Sequence, residues 1–412
     1  MQKIKLEKEA GPIVFLGTMN AMPMMYAWEL KSKGYEVIYF VDVSTSDTLS
    51  RPENHFSNIE YPYPNWIVEI TLKTQFIVPF THRIIRKLIK HRISQLSSKQ
   101  PQLYVLNGFF ISLAPYYENS QTIALSHGAD LNPWADIEKK EEIAKRFQNI
   151  SFLKHVPSYL SKALVKKAIH NQYEGFLKSD LAVYFPIGFD SRGDQLVKKL
   201  EHRGINTYRR YDVSFDPLRN ASRKFKKESK NLVIFSGVRF CFLKGKGERF
   251  KLSKGNDHII NGLARYYQEN KNIEVHFVEK GVHLQAAKEL CDNSGLSPVI
   301  TWHKEMEFYK LLKLYEQSDI CFGQVGNHWI SAIGAYALYL GKPLIANDNS
   351  AVSSGLWPEN NPVIRASNPE EVYNALKALE SEKVRETVSL QSKDFAEKYF
   401  SVDKFMNEVF DM

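Results

Sequence analysis

Short apolar runs alternate along this chain with longer stretches in which apolar positions return at helical spacing. Ile13–Leu16, Glu36–Val41, Leu103–Leu106, Thr122–Leu125 and Leu181–Tyr184 read as strands, and Met24–Lys33 and His82–Gln95 as two of the helices between them. A second series starts at Leu232–Ser236 and continues through Glu274–Val278, Pro298–Trp302, Ile320–Phe322 and Pro343–Ala346. Amphipathic helices fall near Asp257–Asn270, Leu284–Ser294 and Glu307–Gln317, and two more helical patterns, Pro369–Leu379 and Gln391–Val409, close the chain. This order predicts an α/β protein: two Rossmann-like, doubly wound parallel-sheet domains facing a cleft. The charged, strand-poor segment Asp216–Lys230 (DPLRNASRKFKKESK) reads as a linker, or equally as a solvated loop. The expected division is an N-terminal domain over 1–215, a linker over 216–230, a C-terminal domain over 231–390, and a helix over 391–412 that can pack back on the first domain.

A length of 412 residues suits two domains, and 43% hydrophobic with 25% charged residues is the balance of a chain that buries real cores. No apolar run is long enough for a membrane-spanning helix, and Pro12–Leu16 is too short for the core of a secretory signal. Cys241, Cys291 and Cys321 are few, odd in number and far apart, which suggests neither a disulfide framework nor a zinc site and fits a reducing cytoplasm. The net charge of +9 favours anionic partners: nucleotides, phosphorylated lipids, membrane headgroups or nucleic acid. The absence of aromatic-interleaved or helix-turn-helix basic motifs argues against nucleic acid.

In open parallel sheets, ligands sit beyond the carboxyl ends of the strands, where helix N-termini favour phosphate. After the first strand comes Gly17-Thr18-Met19-Asn20, with Pro23 near the first turn of the next helix; it is either a βα turn that needs a glycine or a ligand contact, and it lacks a complete dinucleotide or P-loop pattern. The fourth strand ends in Ser126-His127-Gly128-Ala129-Asp130, a histidine with a carboxylate three residues on, which suits acid–base chemistry or a purely structural loop. In the second half, Arg239 and Lys254 flank a strand-to-helix loop and can clamp a diphosphate, with Lys244 competing for the role of Lys254. The stretch from Ser318 to Ser331 then runs from a strand through a glycine-containing loop to a helix N-terminus, with Ser331 suited to begin that helix.

These blocks resemble nucleotide-sugar glycosyltransferases of the GT-B fold, family 4 in particular. The resemblance is carried by ARYYQENKNIEVHFVEKG, EFYKLLKLYEQSDICF, AYALYLGKPLIA and NPVIRASNPEEVYNALKALE, with HGAD in the first half. It implies that Arg239 and Lys254 hold the donor diphosphate, that His127 lies beside the donor sugar at the reaction centre, and that Trp302 and His303 meet the nucleobase. It also implies that Gly17 to Asn20 face donor phosphate and acceptor, with Asn20 and Asp130 on the acceptor side. The family's usual glutamate pair is missing: its places hold His328 and Tyr336, and no acid occurs between Asp319 and Asp348. His328 can donate and accept hydrogen bonds in place of a carboxylate, while Tyr336 reads equally as core packing.

The resemblance implies a retaining transfer of sugar to a glycan or lipid-linked acceptor in polysaccharide or glycoconjugate biosynthesis. No metal and no cofactor is expected: the chain has no Asp-x-Asp, and basic side chains and helix dipoles would steady the leaving diphosphate. The other readings are a sugar-nucleotide epimerase and a non-catalytic glycan- or nucleotide-binding protein. His82–Ile93 and Tyr159–Lys167 are basic helical stretches that either pack on the sheet or touch an anionic membrane, so the expected location is cytoplasmic, with peripheral contact at the inner face of the membrane.

Overall fold

The structure is a computed structural model that describes residues 2–47, 49–56, 58–70, 72–210, 230–243, 253–326 and 329–412. Residues 216–229 of the expected linker, Lys244 and His328 lie outside the described residues. The chain divides into two compact units, residues 1–211 with 405–412, and residues 212–404.

The first unit runs β1 (Ile4–Lys5), β2 (Ile13–Leu16), α1 (Met22–Ser32), β3 (Val37–Val41), β4 (Ile67–Glu69), α2 (His82–Ser94), β5 (Leu103–Asn107), β6 (Gln121–Leu125), α3 (Lys140–Phe147), α4 (Ser158–Leu177), β7 (Leu181–Tyr184), α5 (Ser191–His202) and β8 (Asn206–Arg209). Seven strands form one sheet in the order β4-β3-β2-β5-β6-β7-β8, every pair parallel. Every residue of β2, β3 and β5 is buried, which is why these strands read as unbroken apolar runs. The edge strands β4 (IVE) and β8 (NTYR) carry no such run, so the apolar pattern did not announce them.

The second unit runs β9 (Leu232–Ser236), α6 (Asn256–Glu269), β10 (Ile273–Val278), α7 (Leu284–Asn293), β11 (Ile300–His303), α8 (Phe308–Gln317), β12 (Ile320–Phe322), α9 (Ser331–Tyr339), β13 (Leu344–Ala346), α10 (Asn349–Ser353), β14 (Ile364–Arg365), α11 (Pro369–Ala378) and α12 (Glu382–Phe400). Its six strands, also all parallel, are ordered β11-β10-β9-β12-β13-β14. The helical segment expected over Gln391–Val409 is broken in two: Ser401 is extended and its hydroxyl accepts the Asp403 N–H at 3.1 Å, starting α13 (Val402–Val409). The chain then ends in β15 (Phe410–Asp411), which pairs in parallel with β1. Among the described residues no helix is long and apolar enough to cross a membrane.

In each sheet the strand order reverses once, between β2 and β5 in the first unit and between β9 and β12 in the second. In each unit, the loops leaving those two strands flank the position where a doubly wound sheet takes its ligand.

Candidate functional site

In the second unit the loop after β9 holds Arg239, exposed, while Lys254 immediately precedes the turn into α6. The two segments are tied together by Asn256, whose Oδ1 accepts the Cys241 N–H at 3.1 Å and whose Nδ2 donates to the Val238 carbonyl at 3.3 Å. Nζ of Lys254 donates to Oε1 of Gln324 at 3.1 Å, in the loop after β12, so it spans the switch point. Burial first, and then the positive charge of Arg239, hold the Lys254 ammonium below its ordinary pKa. The two cations therefore feel one another and are brought to one place. Among the described residues, no carboxylate acts on the Lys254 ammonium.

Two helices begin at this spot. α6 starts at Gly255 in the left-handed region, φ 69°, without a side-chain cap. A Cβ on Gly255 would lie 2.5 Å from the Gly326 nitrogen, so only glycine lets the loops after β9 and β12 touch backbone to backbone. There, the Val325 and Gly326 N–H groups donate to the Lys254 carbonyl at 3.2 and 3.3 Å. α9 also lacks a side-chain cap and has no acid in its first turn. Its first residue, Ser331, has φ 70°, a strained value for a non-glycine residue, and its buried hydroxyl has no hydrogen-bond partner among the described residues. Two helix starts without a side-chain cap, the first with Asp257 in its first turn, and two cations form a set of polar groups at the switch point of the second sheet.

The remaining second-unit candidates sit to the side of this set. Trp302 packs on Phe240, the neighbour of Arg239 in the chain, and on Phe277, with ring centroids 5.6 and 5.4 Å away. His303 is bonded to His276, Nε2 to Nδ1 at 2.8 Å, across β10 and β11. Burial and then His276 lower its pKa. Tyr336, the residue at one of the glutamate places, is buried edge-on against Phe308 at 5.0 Å, in the interior of the unit.

In the first unit the hub is Asn107, a residue that no motif marks, at the carboxyl end of β5. Its Oδ1 accepts the Met19 N–H at 3.2 Å, and its Nδ2 donates to the Leu125 carbonyl at 2.7 Å and to Nδ1 of His127 at 2.5 Å. Those partners fix the amide's orientation, so Nδ1 of His127 is an acceptor and the ring proton of the neutral imidazole is on Nε2. Nε2 is buried and has no partner among the described residues. Burial, and then the charge of Arg210, keep the His127 pKa well below its ordinary value, so the ring is neutral at pH 7.

The carboxylate of Asp130 does not touch the imidazole. It accepts the Ser126 hydroxyl at 2.6 Å, the His127 N–H at 2.9 Å and the Gly108 N–H at 3.3 Å, and burial raises its pKa. The expected His–carboxylate pair is therefore absent: Asp130 shapes the loop backbone, and Asn107 orients the ring. A second network runs from the Thr18 hydroxyl to Asp42 at 2.9 Å and from Asp42 to Gln75 at 2.6 Å, joining the loops after β2 and β3. Gly17 lies where a Cβ would meet the Asn107 carbonyl oxygen at 2.6 Å, so the glycine is required by packing. Asn20 is exposed at φ 55°, its N–H held by the Ser50 hydroxyl at 3.3 Å.

No protein-family model matches the sequence, and no curated protein matches it either. Solved structures do match. HepE from Anabaena, in complex with UDP and glucose, is 12% identical and aligns over 97% of this chain and 98% of its own with a TM-score of 0.57. WaaG, a glycosyltransferase involved in lipopolysaccharide biosynthesis, is 14% identical over 97% and 99% of the two chains, with a TM-score of 0.53. A UDP-N-acetylglucosamine 2-epimerase is 13% identical over 95% and 91%, with a TM-score of 0.51. At these identities the likeness is one of fold, and the fold is that of the GT-B glycosyltransferases.

Proposed function

We propose that the protein is a glycosyltransferase that moves a sugar from a nucleotide-sugar donor to a glycan or lipid-linked acceptor in surface polysaccharide or glycoconjugate biosynthesis. The observation that carries this reading is the meeting of Arg239, Lys254 and the uncapped starts of α6 and α9 at the switch point of the second sheet. As the glycosidic bond of the donor breaks, negative charge builds on the diphosphate, and preorganised cations and helix dipoles stabilise it without a metal. The Ser331 hydroxyl supplies one more donor. In the first unit, neutral His127 offers an Nε2–H to a hydroxyl or phosphate oxygen of substrate; it is a positioned hydrogen-bond donor rather than a base. Transfer then proceeds with retention of anomeric configuration, the β-phosphate guiding the acceptor hydroxyl. Uridine diphosphate is the nucleotide to try first, because HepE is solved with UDP.

The test is release of free nucleotide from a panel of nucleotide sugars, with and without lipid extracts. Arg239→Ala and Lys254→Ala are each expected to weaken nucleotide binding by about 1–3 kcal/mol, the scale of a charge-assisted hydrogen bond. Binding without release from any donor would leave a non-catalytic binding protein, and unchanged affinity in both variants would remove the clamp. The structural likeness to a UDP-N-acetylglucosamine 2-epimerase favours one second reading. Acceptor-free isomerisation of the donor sugar would establish it in place of transfer.

We further propose that the protein works in the cytoplasm, in peripheral contact with anionic lipid. α2 turns Ile85, Ile89 and Ile93 into the core, leaving Arg83, Lys87, Lys90 and Ile84 exposed. Lys167 of α4 is close enough to His82 to lower its pKa after burial has done so, so the two basic helices are neighbours. Arg86 lies over the rings of Tyr116 and Tyr117 and is not part of the outward charge. Sedimentation with anionic vesicles should be salt-sensitive and lost when Arg83, Lys87 and Lys90 are replaced by Gln; equal sedimentation of the triple variant would end the idea.

A further inference from the structure

Arg210 follows β8 directly, and no sequence pattern singles it out. Its side chain is 1% exposed. Among the described residues it pairs with no carboxylate: Nη1 and Nη2 reach only the sulfur of Met22, each at 3.8 Å, the guanidinium stacks 4.6 Å from the Phe185 ring centroid, and Nε has no hydrogen-bond partner. A thioether is a weak acceptor, and a buried cation without a counter-charge is strongly disfavoured.

What surrounds it is a set of donors. Met22 opens α1, which follows Ala21 in the left-handed region, has no side-chain cap and has no acid in its first turn. The Nε2–H of His127, without a partner among the described residues, belongs to the same corner, since Gly128 next to it faces the Phe185 ring on which the guanidinium stacks. Phe185 closes the side: Gly128, beside His127, would place a Cβ 3.0 Å from the Phe185 ring. The Met22 N–H already goes to the Met19 carbonyl and Pro23 has none, so α1 offers the N–H groups from Met24 onward; with the guanidinium and the imidazole N–H these are donors, the groups that hold the oxygens of a tetrahedral phosphate.

We propose that Arg210, the N-terminus of α1 and Nε2 of His127 form an oxyanion site in the first unit that takes a phosphoryl group of a substrate. The proposal rests on the reading that this protein handles phosphorylated sugars, and it adds to it. Arg239 and Lys254 already supply two cations for the donor diphosphate. Arg210, which has no counter-charge among the described residues, is thus left for a second phosphoryl group, one carried by the acceptor, as in a phosphate-linked glycan.

Calorimetric titration with inorganic phosphate and, separately, with UDP tests this. Phosphate is titrated into an Arg239→Ala/Lys254→Ala background, which removes the other anion site. There Arg210→Gln is expected to weaken phosphate binding at least about tenfold, with Arg210→Lys in between. UDP binding to the otherwise unaltered protein, left intact by Arg210→Gln, assigns the site to the acceptor's phosphate. A parallel loss of UDP affinity keeps the site and assigns it to the donor. Phosphate binding indifferent to Arg210→Gln overturns the proposal, and does so whether or not any sugar transfer is ever observed. Should the Gln variant fail to fold, phosphate added to the unaltered protein must shift the ring-nitrogen resonances of His127, identified with His127→Asn. Resonances that stay in place overturn the proposal equally.

Discussion

The proton position on His127 follows from a single amide, and it changes what the residue can do. Because Asn107 donates to Nδ1, the free nitrogen carries a hydrogen, and the buried ring stays neutral. A histidine with a depressed native pKa favours the folded state only while neutral. As pH falls through its unfolded value near 6.5, the unfolded chain binds a proton that the native one refuses, and stability drops. The expected contribution is up to about 1.4 kcal/mol per pH unit below that point. Urea unfolding at pH 7 and pH 5 should show His127→Asn losing less stability on acidification than the unaltered protein; an identical loss would mean the ring titrates freely. Asn107→Ala removes three hydrogen bonds at once. It should cost about 2–3 kcal/mol by the same measurement. Asn107 and Gln324 were in principle legible, each a polar residue at or just past the end of a buried apolar strand. Arg210 was not, because what distinguishes it is the lack of a counter-ion among the described residues, and only three-dimensional neighbours reveal that.

At the scale of elements, the site is made by strands that stop and helices that start without caps. Sequence patterning located β2, β7, β9 and β12 to the residue, because strands covered on both faces are continuously apolar, and Gly17, Gly237 and Gly323 end three of them sharply. It failed at β4 and β8, where an edge position permits polar residues, and it joined α12 to α13 because the break at Ser401 is made by a serine, which helical spacing tolerates. The contact of Gly255 with Gly326 is likewise unreadable from either loop alone. It yields a prediction: Gly255→Ala must both strain a left-handed residue and push the two loops apart, so it should cost at least about 3 kcal/mol and weaken nucleotide binding. Gly295 is the control. It has φ 72°, and a Cβ there would meet nothing within 4 Å, so Gly295→Ala should cost only about 1–2 kcal/mol and leave nucleotide affinity alone. Equal effects at the two positions would mean that backbone strain, and not the loop contact, sets the cost.

For the molecule as a whole, the two units are unequal in how they are closed. The second is built from one continuous segment, while the first needs residues 405–412 from the far end of the chain. Phe405 packs on Tyr26 of α1 at 4.2 Å and on Tyr208 at 5.5 Å, Tyr208 donates to Glu408 at 2.8 Å, and β15 extends β1. Phe405, Met406, Val409 and Phe410 are buried. At about 1.5–3 kcal/mol for each such side chain, removing them subtracts on the order of 6–12 kcal/mol, comparable with the entire stability of a typical domain. A chain ending at Lys404 should therefore lose the first unit's unfolding transition while the second keeps its own, and it should still bind nucleotide through Arg239 and Lys254. Because Tyr26 anchors the helix whose first residue, Met22, meets Arg210, the same truncation should abolish both phosphate binding at Arg210 and sugar transfer. Calorimetric melting with and without UDP separates these outcomes. If the truncated chain melts as a single unit or loses nucleotide binding, the donor site depends on the first unit for its formation, and the assignment of the donor clamp to the second unit alone is wrong.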